Sequence, residues 1–149
     1  ISEFELKSIE LPKFDCLKKD LTLFQFDSRS TGEFKKNLSR LECNYMIKKY
    51  ARHKPVGIGG EDTRKKLPYE YKLGNLQLII KELMSAKQFV GIDSGMSHLA
   101  GVLGVPSVLR LIHTSRDVMT VEKFYNFFYN NVVCLHDFGI PRKPLLKIF

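Results

Sequence analysis

Residues 88–112 read QFVGIDSGMSHLAGVLGVPSVLRLI. An apolar run of strand length, Gln88 to Ile92, enters the turn Asp93-Ser94-Gly95 and continues straight into a short helix from Met96 to Val102. Gly104 and Pro106 stop that helix, and a second apolar run follows from Ser107 to Ile112. The helix is apolar nearly all round, so it must be buried. Strand, buried helix and strand with such short connections form a crossover unit, which makes the two strands parallel neighbours in an α/β sheet.

The same alternation extends outward. Upstream, Leu21 to Phe26 is a mostly apolar and aromatic run that predicts a buried strand. Ser30 with Glu33 forms a capping box, and Phe34, Leu38, Leu41 and Tyr45 recur at helical spacing to about Arg52. Pro55 to Ile58 predicts a second strand ending in Gly59-Gly60, and the charged stretch from Glu61 to Lys72 reads as a loop. After Gly74-Asn75, the residues Leu76, Ile79, Ile80, Leu83 and Met84 mark an amphipathic helix. Downstream, an aromatic helix is expected from Arg116 to Asn130 and a fifth strand from Val132 to Leu135. Five strands alternating with helices predict a doubly wound, mostly parallel Rossmann-like sheet with helices on both faces.

The expected domain spans residues 21–138. Residues 1–20, with Pro12 in their middle, read as a linker or strap, and residues 139–149 as a basic C-terminal tail. Glu3-Phe4 is what an EcoRI site encodes in frame, which marks Ile1 to Phe4 as candidate vector-derived residues.

Composition narrows the function. The chain has 149 residues and a formal charge of +8, with 24 Lys and Arg against 16 Asp and Glu, which favours anionic partners: nucleotides, nucleic acid or anionic membrane surfaces. Cys16, Cys43 and Cys134 have no disulfide or metal-site spacing, and His53, His98, His113 and His136 show no HxxxH pattern, so no metal is expected. A reducing, cytoplasmic location is expected, with a peripheral position at the inner membrane face also open. No apolar run approaches the roughly 20 residues needed to span a bilayer.

The chemistry concentrates in Asp93-Ser94-Gly95. A turn at the carboxyl end of a parallel strand, opening a helix, points unpaired amides at an incoming anion. Gly95 permits close approach of a phosphate, Ser94 and Ser97 carry hydroxyl donors, and Asp93 suits orientation of the turn better than contact with an anion. The plainer alternative is that Asp93-Ser94 is a helix cap and His98 a hydrogen-bonded core residue. On the predicted aromatic helix, Phe124, Tyr125, Phe127, Phe128 and Tyr129 wrap more than one face, which implies core on one side and exposed aromatics on the other, or a docking surface. Lys35, Lys36, Arg40, Lys48, Lys49 and Arg52 read as a solvated face of the first helix, with contact to an anionic acceptor or membrane as the alternative.

From Leu21 to Ser115 the chain resembles the C-terminal domain of the ADP-heptose:lipopolysaccharide heptosyltransferases and their relatives in glycosyltransferase family 9. The stretch from Phe89 to Ala100 is similar to that family's D-[ST]-G-x-x-H-x-A signature, and Gly104-Val105-Pro106 follows at the family's spacing. Ile58-Gly-Gly-Glu-Asp62 resembles its strand-end G-G-x-x-D/E, and Leu73-Gly-Asn-Leu76 the segment before the next helix.

The resemblance implies one half of a GT-B fold that binds a nucleotide-diphospho-sugar donor, ADP-linked in the heptosyltransferases, with no other cofactor. It implies donor contacts at Asp93, Ser94, Gly95, Met96, Ser97 and His98, at Gly60, and at Ser28, Arg29 and a lysine such as Lys35. It also implies partners: an N-terminal domain that supplies the catalytic base and acceptor site, and a lipopolysaccharide or other membrane-surface glycan acceptor. No residue of this chain is assigned as catalytic, and no nucleic acid is expected.

Three departures from the family stand out: Ser30 to Phe34 replaces the usual lysine and Trp-Pro, Leu111-Ile-His-Thr114 replaces Phe-Gly-Pro, and the chain is too short to hold the N-terminal domain. A sugar-nucleotide epimerase-like domain, a basic nucleic-acid-binding module and a non-catalytic interaction domain are the alternative readings.

Overall fold

The computed structural model describes residues 18–26, 38–59, 67–111 and 118–135. Six strands form one all-parallel sheet: β1 (Lys19–Gln25), β2 (Lys54–Gly59), β3 (Tyr71–Leu73), β4 (Ala86–Ile92), β5 (Ser107–Arg110) and β6 (Val132–Leu135). Their order is β3-β2-β1-β4-β5-β6, the Rossmann order. Four helices are described: α1 (Arg40–Tyr50), α2 (Leu76–Ser85), α3 (Gly95–Val102) and α4 (Val118–Phe128).

The side-chain alternation of the central strands explains both faces. Leu23 of β1, Phe89 of β4 and Leu109 of β5 point to one side, where they pack with Ile79 and Leu83 of α2, Ala100 of α3 and Tyr125 of α4. Their neighbours Phe24, Val90 and Ile92 point to the other and pack with Cys43, Met46 and Ile47 of α1. The expectation of a doubly wound α/β domain with helices on both faces therefore holds.

Element boundaries differ from the sequence reading, and three of the differences bear on the architecture. Strand β1 begins at Lys19, two residues earlier than expected. Helix α1 starts at Arg40, because Ser39 caps it: the Ser39 hydroxyl accepts from the Glu42 amide while Glu42 accepts from the Ser39 amide, a complete capping box. The Ser30 and Glu33 box lies outside the described residues, as do residues 1–17 and the basic tail.

The third difference corrects a prediction. The stretch read as loop up to Lys72 contains part of β3, an edge strand in register with β2 from Gly57↔Tyr71 to Gly59↔Leu73. Three residues are too few to carry a periodic pattern. What holds them is backbone pairing, the Tyr71 ring lying over Gly57, where a Cβ would meet it at 2.1 Å, and the Tyr71 hydroxyl donating to the Ile58 carbonyl at 3.1 Å.

Two buried polar clusters fix how α1 sits. At the strand-start end, Gln88 Oε1 accepts from the Thr22 hydroxyl at 2.7 Å and the Arg52 amide at 3.0 Å, and Gln88 Nε2 donates to the Tyr50 carbonyl at 2.7 Å. At the other end, the fully buried Arg110 of β5 donates to Glu42 of α1 at 3.2 Å. Removing either partner would leave a charge in the interior, so this pair ties the start of α1 to the sheet.

Candidate functional site at the β1–β4 switch point

In the observed strand order, chain direction across the sheet reverses between β1 and β4. The crevice beyond the carboxyl ends of those two strands is where ligands enter open α/β sheets. Asp93 and Ser94 follow β4 directly, and Gln25 ends β1 beside them. The Ser94 hydroxyl donates to Gln25 Oε1 at 3.2 Å, so one hydrogen bond spans the switch point.

Ser94 is also the N-cap of α3. Its backbone is extended and its hydroxyl accepts from the Ser97 amide at 3.4 Å, while its carbonyl accepts from the Ser97 and His98 amides at 3.1 and 3.3 Å. The next two amides, of Gly95 and Met96, have no acceptor among the described residues. They are the donors this helix start presents to a ligand, at the positive end of the helix dipole. Gly95 is exposed, and a Cβ built on it would meet no described residue within 4 Å. Its φ lies outside the left-handed region, since Gly104, with φ 75°, is the positive-φ glycine among the described residues. Helix geometry therefore does not require glycine at position 95.

The other expected site residues divide by role. Ser97 is fully buried and its hydroxyl donates to the Ile92 carbonyl, so it anchors α3 to β4 and has no hydroxyl proton left for a ligand. Asp93 accepts from the buried Tyr125 hydroxyl at 2.7 Å. His98 stacks on the Tyr125 ring, with centroids 4.5 Å apart and planes at 10°. Its Nδ1 lies 3.1 Å from the Tyr129 hydroxyl and its Nε2 3.7 Å from Asp93 Oδ1. Ser28, Arg29, Lys35 and Gly60 fall outside the described residues. Gly59, which precedes Gly60, ends β2 at this same end of the sheet, as do the exposed Leu73 and Leu76 at the β3–α2 junction.

Reading the sequence missed the part played by α4. Burial, then the bond to Asp93, pushes the Tyr125 hydroxyl far above its ordinary value, and burial raises Tyr129. Both hydroxyls stay protonated, so Tyr125 is a standing donor to Asp93. Burial also pushes the Cys134 thiol up to about 12, with the carboxylates of Glu122 and Asp93 adding to the shift, so it is no nucleophile at neutral pH. The signal for Tyr125 was its place in an aromatic run beside polar residues. Sequence spacing alone could not show which of five aromatics would reach across to the turn.

These features define a class: a Rossmann-type α/β domain with a capped helix start at its topological switch point. Comparison of the chain with protein-family models, with curated proteins and with solved structures gave no match.

Proposed function

We propose that the chain is the nucleotide-sugar-binding half of a GT-B-type glycosyltransferase, similar to the heptosyltransferases of glycosyltransferase family 9. The observation that carries the reading is the pair of amides at Gly95 and Met96, which have no acceptor among the described residues and open at the β1–β4 switch point, with no described residue over the Gly95 backbone. In this reading the two amides hold the donor diphosphate. His98, kept in place by Tyr125 and Tyr129, faces its flank.

Asp93 orients the turn and Leu73 and Leu76 offer apolar surface to the base. The family resemblance adds Ser28, Arg29, Lys35 and Gly60 as donor contacts, the cation neutralising the leaving diphosphate. An N-terminal acceptor domain would supply the base for inverting displacement onto a lipopolysaccharide or other glycan hydroxyl, so this half alone turns nothing over.

Isothermal calorimetry of the folded chain with ADP, UDP and GDP tests the proposal. Binding of at least one diphosphate in the micromolar to millimolar range is expected, because in this reading the donor also draws contacts from the acceptor domain. Absence of heat with all of them at about 1 mM would overturn it.

A further inference from the structure

The end of the sheet opposite the site has its own chemistry. Lys18 and Lys19 lead into β1, Lys54 starts β2, Lys87 is the second residue of β4, Lys48 and Lys49 close α1, and Arg52 lies between α1 and β2; all are exposed. These are seven of the twelve Lys and Arg among the described residues, and Asp20 and Glu70 are the carboxylates among them. The topology gathers them: β2, β1 and β4 are adjacent, with Leu21 beside Lys54 and Lys19 beside Ala86, and the Gln88 cluster holds the Arg52 backbone against the same strands.

Structural roles account for part of the set. Lys87 pairs with Asp20, Lys54 with Glu70 at 3.2 Å, and Lys18 donates to the Met84 and Ala86 carbonyls at the end of α2. Lys19, Lys48 and Arg52 have no ion pair among the described residues. Like charges collected this way repel one another unless a counter-charge arrives.

The same end also carries exposed apolar residues. Phe127 and Phe128 are the last residues of α4, Val102 is the last of α3, and Val133 lies near the start of β6. They are 81%, 51%, 45% and 58% exposed. A phenylalanine left four-fifths in water at the same end of the domain as a lysine cluster marks a surface suited to a partner.

We propose that this strand-start end is a peripheral membrane-docking face, in which the lysines meet anionic phospholipid headgroups and Phe127 and Phe128 enter the interfacial layer. Exposed aromatics beside point-charged lysines match the composition of that layer. Nucleic acid fits less well. Tyr45 and Tyr50, the aromatic rings amid the cations, lie 5.3 and 5.7 Å from the Lys49 ammonium and are not free platforms for bases. The face lies opposite the nucleotide site, so docking leaves the switch-point crevice open. The proposal does not depend on the donor reading.

Flotation of the full chain with phosphatidylcholine vesicles, with and without about 30 mol % phosphatidylglycerol, tests it. Partitioning to the anionic vesicles alone, weakened by salt, is expected. Replacing Lys19, Lys48 and Arg52 together by Gln should cut partitioning about 100-fold, about five-fold per cation. Phe127→Ser with Phe128→Ser should cut it about ten-fold. Lys81→Gln with Lys123→Gln, which removes exposed charge from the flanks, should leave it within about two-fold of the parent. All variants alter exposed side chains, and their melting curves should match the parent. Folded chain that ignores anionic vesicles, site variants that partition like the parent, or tighter capture by an oligonucleotide through the same cations would each overturn the proposal.

Discussion

Replacing Gly95 by alanine separates the two roles a helix-opening turn can play. In the structure, the added methyl meets no described residue within 4 Å and the backbone needs no left-handed φ. The fold should therefore accept it, and the lower entropy of the unfolded chain should stabilise the protein by about 0.4–1 kcal/mol, a rise of about 1–4 °C in melting temperature. For a ligand the balance reverses, because the methyl occupies the approach to the Gly95 and Met96 amides. Each charge-assisted hydrogen bond lost or stretched costs about 1.5–3 kcal/mol, so nucleoside diphosphate affinity should fall at least about ten-fold with alanine and further with valine. Thermal melts and calorimetry on the same samples read both effects. A Gly95→Ala protein that melts at or above the parent and binds diphosphate equally well would mean that the turn only caps α3. One that fails to fold would show that the open space over Gly95 was misread.

The buried Arg110–Glu42 pair should respond to loss of one partner: Arg110→Met should cost about 3–5 kcal/mol in urea unfolding, and a cost below about 1 kcal/mol would show the pair to be dispensable. Ser94→Ala removes the α3 cap and the bond to Gln25, so stability should drop by about 1 kcal/mol, with any larger change arguing that the whole switch-point turn rearranges. Tyr125 makes stability depend on alkaline pH. Its folded pKa is raised above the ordinary value of 10.0, so above that pH the unfolded chain releases a proton that the fold retains, and unfolding becomes easier by about 1.4 kcal/mol per pH unit. Tyr125→Phe should flatten the decline between about pH 9 and about pH 11 in circular-dichroism melts, and an unchanged slope would mean that Tyr125 is not the group responsible.

Much of the architecture was legible because local patterns recur wherever one face is buried. The run from Gln88 to Ile92 lies within β4, the all-apolar segment is the buried α3, and Asn75 caps α2 as its position before Leu76 predicts. The aromatic helix divides as its two-faced pattern implies, with Tyr125 in the core and Phe124, Phe127 and Phe128 exposed. Edge strand β3 was not legible, since its three residues are held by pairing to β2 and by one tyrosine over one glycine, contacts made across thirteen or more positions of chain.

For the site, the residues from Asp93 to His98 could be picked out from the sequence, because a strand-to-helix turn with Ser and Gly carries its chemistry locally. Which of them face outward could not. Only the packed structure turns Ser97 inward to the Ile92 carbonyl, leaves the Gly95 and Met96 amides without an acceptor among the described residues, and brings Tyr125 from 32 positions away to Asp93. The same holds at the opposite end, where lysines scattered from residue 18 to residue 87 become one face because three strands that start with them lie side by side. Sequence periodicity reports which side of an element is buried. Strand order and side-chain reach arise from contacts between distant segments, and only the folded chain sets them.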